Sequence, residues 1–86
     1  MRHEAFHAWL MAARRNRKRS ADSQVSCARS CENHFGVDLD TAVFRGQISR
    51  MIEEIEARRG LSRKTAYNHT NALRRYAEFA TAPNRG

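Results

Sequence analysis

Apolar residues recur along the first third of this chain with the spacing of helix turns. One stripe at i, i+3, i+4 and i+7 predicts a first helix over residues 2–13; it consists of Phe6, Trp9, Leu10 and Ala13. A second helix is predicted over residues 21–35, with Ser20 as its N-cap and Gly36 as its C-terminal stop. Its inward positions are Gln24, Cys27, Ala28, Cys31 and Phe35. Residues 14–19 between the two helices hold five positive charges and nothing to bury, so we expect a solvated connection there.

The rest of the chain has the apolar spacing of two further helices. A third helix is predicted from an apolar stripe that comprises Phe44, Ile48, Met51, Ile52 and Ile55. Gly46 weakens its first turn by about 1 kcal/mol relative to Ala, so residues 41–45 are alternatively a separate turn. A fourth helix is predicted from the cap Ser62 to about Ala80, and Pro83 ends it. Its inward positions are Ala66, Tyr67, Thr70, Leu73, Tyr76, Ala77 and Ala80.

These patterns together predict the fold class. No segment alternates with period two for more than a few residues, and the hairpin dipeptides Asn-Gly and Asp-Gly are absent. At 86 residues the chain has no room for two cores. We therefore expect an all-α, compact four-helix bundle over residues 1–82, with residues 83–86 as a tail or the start of a linker.

Charge is divided unevenly along the chain. The formal net charge is +7, but residues 1–31 carry +5, residues 32–56 carry −4 and residues 57–86 carry +6. The third predicted helix is therefore an acidic spacer between two basic segments. A concentrated basic field attracts polyanions, so nucleic acid is the leading candidate partner, with an acidic protein as the alternative.

Composition also bears on the cellular setting. No apolar run approaches the roughly 20 residues of a membrane helix, so no membrane partner is expected. The chain begins with charged residues and shows no secretory signal pattern. Two cysteines are too few for a disulfide framework, which favours a reducing, cytoplasmic location.

The fourth predicted helix carries a polar stripe with the chemistry of base and phosphate recognition. Its members fall at i, i+4, i+7 and i+11 and are Lys64, Asn68, Asn71 and Arg75; Arg63 and Arg74 flank them. Arg binds guanine edges and phosphates, Asn binds adenine with two hydrogen bonds, and a helix fits the major groove of B-DNA. The alternative interpretation is the ordinary solvent-exposed side of a helix.

A family resemblance points the same way. Its residues are Leu61-Ser62-Arg63-Lys64-Thr65-Ala66-Tyr67, Leu73-Arg74-Arg75-Tyr76, Phe79 and, near the start, Phe6-His7-Ala8-Trp9-Leu10. In helix number, order and length the chain resembles the core-binding (SAM-like) N-terminal domain of tyrosine recombinases and phage integrases. In that family the Leu-Ser opening usually begins the second helix, whereas here its clearest copy begins the last.

The resemblance implies a function in DNA recombination and integration. In the family this four-helix domain forms one half of a clamp around duplex DNA, with one helix in the major groove. Carried over to this chain, the resemblance implies DNA contacts for Arg17, Lys18, Arg19, Arg63, Lys64, Asn68, Asn71, Arg74 and Arg75. The recombinase catalytic domain has no counterpart in this chain.

Catalysis in this chain is not expected. Tyr67 and Tyr76 are the residue type of a recombinase nucleophile, but no His has an Arg three residues later. Both tyrosines lie on or beside the apolar stripe, which favours packing. No Gly-rich phosphate loop and no Ser-His-Asp set are present, so we expect no catalytic residues and no cofactor.

Two further functions remain open. In a helical interaction module, the acidic third helix of one copy would meet the basic fourth helix of another and form a dimer. In a redox- or metal-responsive regulator, Cys27, Cys31 and His34, at i, i+4 and i+7, would bind zinc with the pair His3 and His7. Buried packing of the two cysteines is the simpler interpretation, and no metal site is predicted.

Overall fold

The structure, a computed structural model, describes residues 1–82 and contains five helices. In chain order they are α1 (His3–Ala12), α2 (Lys18–Phe35), α3 (Leu39–Phe44), α4 (Ile48–Ala57) and α5 (Arg63–Thr81). No strand occurs within this range, so the all-α class is confirmed. The expected tail, residues 83–86, lies outside the described residues, as does the proposed stop at Pro83.

The connection between α1 and α2 is shorter than predicted. Arg15 adopts a left-handed backbone conformation with φ of 53°, and the amide of Asn16 donates to the carbonyl of Leu10 at 3.0 Å. A left-handed residue just after the last helical turn is a common helix stop, and glycine is the usual residue at that position. α2 then begins at Lys18 rather than at Ala21, so the predicted cap at Ser20 is wrong.

Positive-φ glycines explain the next two helix ends. Gly36 has φ of 64° and its amide donates to the carbonyl of Glu32, which confirms it as the stop of α2. Asp38 then caps α3 by accepting a hydrogen bond from the amide of Thr41 at 3.1 Å. Gly46, with φ of 67°, separates α3 from α4, so the alternative of a separate turn before the third predicted helix is the one observed.

α5 is the longest helix and the centre of the packing. Ser62 caps it, because the side-chain oxygen accepts from the amide of Thr65 at 3.1 Å, as predicted. It contacts every other helix, most extensively α2 and α4. The core gathers around it and consists of Phe6, Leu10, Ala21, Ala28, Cys31, Leu39, Ala42, Ile48, Met51, Ile55, Ala72, Leu73 and Tyr76.

An aromatic cluster joins α1 to α5. The ring of Phe6 packs edge-on against Tyr76, with 4.9 Å between centroids, and lies 5.5 Å from the ring of Phe79. Trp9 lies 5.8 Å from Phe79 on the outer side of the cluster. The apolar stripes predicted inward positions for Phe6, Trp9 and Tyr76 but not for Phe79. Packing of these rings across two helices accounts for the burial of Phe6 and Tyr76.

Two aromatic residues predicted to face the core are exposed, as is Ala13 at the end of α1. Phe44 is 90% exposed because the turn at Gly46 removes it from the apolar stripe of α4. Tyr67 is 64% exposed and lies at the edge of the apolar stripe of α5. Within residues 1–82 no helix is long and apolar enough to cross a membrane.

Candidate nucleic-acid interface

The first turns of α2 and α5 carry positive charge where a helix disfavours it. Arg17 is the N-cap of α2 and forms no side-chain cap hydrogen bond, and Lys18 and Arg19 follow. Arg63 and Lys64 open α5, and neither first turn holds an acidic residue. Because the N-terminal end of a helix dipole is positive, each such cation is unfavourable by about 0.3–1 kcal/mol. These charges therefore do not stabilise their helices.

A first groove of about 550 Å³ lies between the start of α2 and the middle of α5. From the α5 side, Asn68 and Asn71 line it. From α2 and the residues just before it come Asn16, Arg17, Arg19, Ser20, Ser23, Gln24 and Cys27. The tertiary fold thus brings four of the sequence-predicted site residues together, although 49 positions separate Arg19 from Asn68.

The side chains of the first groove combine cations with neutral hydrogen-bonding groups. Arg17 and Arg19 form no ion pair with any residue in the described range, so their charges are available to an anion. The buried side-chain oxygen of Gln24 has no hydrogen-bond partner within that range.

A second groove of about 550 Å³ lies on the other side of the exposed face of α5. Tyr67, Arg63 and Arg74 line it from α5, and Arg58 lines it from the end of α4. Arg58 and Tyr67 were absent from the predicted site. Arg58 belongs to the basic segment 57–86 but precedes the predicted fourth helix, and Tyr67 was assigned to the core.

Three of the nine predicted contact residues are held by acidic neighbours. Lys18 pairs with Asp22 at 3.1 Å, and hydrogen bonds from Lys18 and His7 lower the pKa of that carboxyl. Arg75 pairs with Glu78 at 3.1 Å and is only 28% exposed, so its expected outward position is wrong. Arg74 lies 4.0 Å from Glu56, at the limit of an ion pair.

The predicted polar stripe of α5 is therefore divided. Lys64 is exposed as expected, whereas Asn68 and Asn71 are half-buried beside α2 in the first groove. Of the nine residues, Arg17, Arg19, Asn68 and Asn71 meet in the first groove, and Arg63 and Arg74 meet in the second. The exposed face of α5 separates the two grooves.

Tyr76 packs in the core, and its hydroxyl bonds residues of two other segments. Its ring is fully buried, its hydroxyl donates to Asp40 at 2.8 Å, and it accepts from the backbone amide of Arg2 at 3.0 Å. Burial raises the pKa of the Tyr76 hydroxyl to about 12, so it stays protonated at neutral pH. The side chain thus ties α5 to the start of α1 and to α3.

The residues considered for zinc do not assemble within residues 1–82. No group of three His, Cys, Asp or Glu side chains in that range is placed to hold a metal ion. Cys31 is buried, and burial raises the pKa of its thiol to about 12. His34 instead lies 3.3 Å from the guanidinium of Arg58, and His7 bonds Asp22 at 2.7 Å.

No family model matches the chain, and no curated protein or solved structure is significantly similar to it.

Proposed function

We propose that this chain is a DNA-binding helical module that grips duplex DNA mainly through phosphates. One observation carries the proposal: of five cations without an ion pair within residues 1–82, four line the two grooves beside the exposed face of α5, and the fifth, Lys64, is exposed in the first turn of α5. The five are Arg17, Arg19, Arg58, Arg63 and Lys64. Four of them, Arg17, Arg19, Arg63 and Lys64, lie at helix N-termini, where the helix dipole disfavours a cation, and unpaired cations suit an external polyanion.

The spatial arrangement supports a helix in the major groove. A B-DNA major groove is about 12 Å wide and admits one helix, with a phosphate backbone on either side. Here α5 presents an exposed face with a groove along each side. Arg17 and Arg19 line the first groove, and the second is lined by Arg58, Arg63 and Arg74 together with the acidic Glu56. The proposal includes the SAM-like organisation of a recombinase core-binding domain, in which a helix of a small bundle occupies the major groove.

The salt dependence of binding tests the proposal. With about five phosphate contacts, the logarithm of the association constant should fall against the logarithm of salt concentration with a slope of about −4 to −5. The measurement is fluorescence anisotropy of a labelled 20-base-pair duplex between 50 and 300 mM NaCl, conditions chosen within the range where this electrostatic term is large. Absence of binding at 50 mM salt would exclude this function.

Self-association is the second candidate function, favoured by one observation. Phe44 is 90% exposed at the end of α3, and the acidic side chains Glu53 and Glu54 of α4 are exposed on the element that follows. An apolar side chain beside an acidic helix complements the basic face of another copy. In light scattering, a stable dimer whose mass is unchanged by added duplex would favour this function over DNA binding.

A further inference from the structure

Tyr67 is an aromatic side chain in the middle of a cationic surface. It is 64% exposed and lines the second groove with Arg63 and Arg74. The side-chain hydrogen bonds of the α5 region within residues 1–82 involve other residues, namely Ser62, Thr65, Thr70, Arg75, Tyr76 and Thr81. The Tyr67 ring and hydroxyl are thus available to a bound molecule.

Asn71 lies one helical turn beyond Tyr67 and borders the opposite groove. Four residues along a helix span about 6 Å, which is close to the height of two base-pair steps at about 3.4 Å each. Tyr67 thus lies at the second-groove edge of the exposed face of α5, beside Arg63 and Arg74, and Asn71 lies half-buried at the first-groove edge, beside Arg17 and Arg19. In a major groove, side chains between two phosphate-binding flanks face the base edges.

The chemistry of this pair selects one kind of base pair. The side-chain NH₂ of Asn can donate to N7 of adenine, and its side-chain oxygen can accept from the adenine amino group. An apolar ring can contact the thymine methyl group. We propose that Tyr67 and Asn71 read A·T base pairs from the major groove, Asn71 through adenine and Tyr67 through the thymine methyl. This inference rests on the proposed function and names the DNA that the same surface prefers.

The test compares three synthetic duplexes of equal length: alternating A·T, the same duplex with uracil in place of thymine, and alternating G·C. The wild-type chain should bind the A·T duplex at least about 5-fold more tightly than the G·C duplex, the lower end of the discrimination expected from one good base contact. Removing the thymine methyl should weaken binding about 3- to 5-fold, as expected for losing one buried carbon group.

Variants assign the effect to the two side chains. Tyr67→Ala should bind the thymine and uracil duplexes equally while keeping the wild-type salt slope, because it removes no charge. Tyr67→Phe keeps the ring and should retain the thymine preference. Asn71→Ala should reduce the preference for A·T over G·C. Phe44→Ala, a change of another exposed aromatic residue outside both grooves, should leave all three affinities unchanged.

The outcomes separate this inference from the proposed function. If the wild-type chain binds all three duplexes equally, or if Tyr67→Ala retains the full thymine-to-uracil ratio, base reading by this pair is wrong while phosphate binding stands. If none of the duplexes binds at 50 mM salt, a concentration at which phosphate contacts are strong, both are wrong.

Discussion

Phe6→Ala is expected to lower the free energy of unfolding by about 3–5 kcal/mol, the usual cost of removing a buried phenylalanine ring. Phe6 is fully buried, and its ring contacts both Tyr76 and Phe79 of α5. The cavity would open in the cluster that joins α1 to the rest of the molecule. Small domains are stable by only about 5–15 kcal/mol, so the variant should be partly unfolded at 37 °C.

Urea unfolding followed by circular dichroism measures this loss. Phe44→Ala is the matched control, because it removes the same ring from a site that is 90% exposed. That control should change stability by no more than about 0.5 kcal/mol. A loss below about 1 kcal/mol for Phe6→Ala would mean that α1 does not pack on α5 as described, since a buried ring normally costs several times more.

The double variant Arg17→Gln/Arg19→Gln is expected to lose DNA affinity without losing stability. Both cations lie at the start of α2, where the helix dipole disfavours them, so unfolding free energy should stay constant or rise by up to about 1 kcal/mol. Removing two phosphate contacts should make the salt slope shallower by about 2. At 50 mM salt, affinity should fall about 10- to 100-fold, because each contact contributes through counterion release.

The matched control removes the same charge from another part of the surface. Arg45→Gln/Arg50→Gln also lowers the net charge by two, but these residues line a separate hollow beside Glu54. The control should keep most of the wild-type affinity and slope. Equal losses in the two double variants would show that binding follows net charge alone, and the first groove would then have no special part in it.

Substitutions of Arg74 and Arg75 would test DNA binding less clearly than substitutions of Arg17 and Arg19. Arg75 is mostly buried against Glu78, and Arg74 approaches Glu56. Removing either side chain also removes a surface ion pair worth about 0–1 kcal/mol, although Glu78 keeps Arg14 as a partner at 3.6 Å. Helix periodicity placed these residues on an outer face, but the side chains that meet them from the same helix and from α4 were not evident from spacing.

The sequence by itself determined the helical class, the stop at Gly36, the weak point at Gly46, the cap at Ser62 and the separation of charge along the chain. Each follows from local chemistry: the i, i+4 spacing of apolar residues, the left-handed backbone that glycine allows, and the hydroxyl that satisfies a free amide. Local rules failed at Arg15, which occupies a left-handed conformation that glycine usually fills, and α2 began earlier as a result.

Only the tertiary structure decided which polar residues share a surface. Packing of α2 and α4 against α5 joins Arg19 to Asn68 in one groove and Arg58 to Tyr67 in another, although neither pair is close in sequence. The same packing left Tyr67 outside the core and enclosed Tyr76, two residues that periodicity had treated alike. A helical stripe specifies a face of one helix, but how wide a part of that face is covered depends on where its neighbours lie.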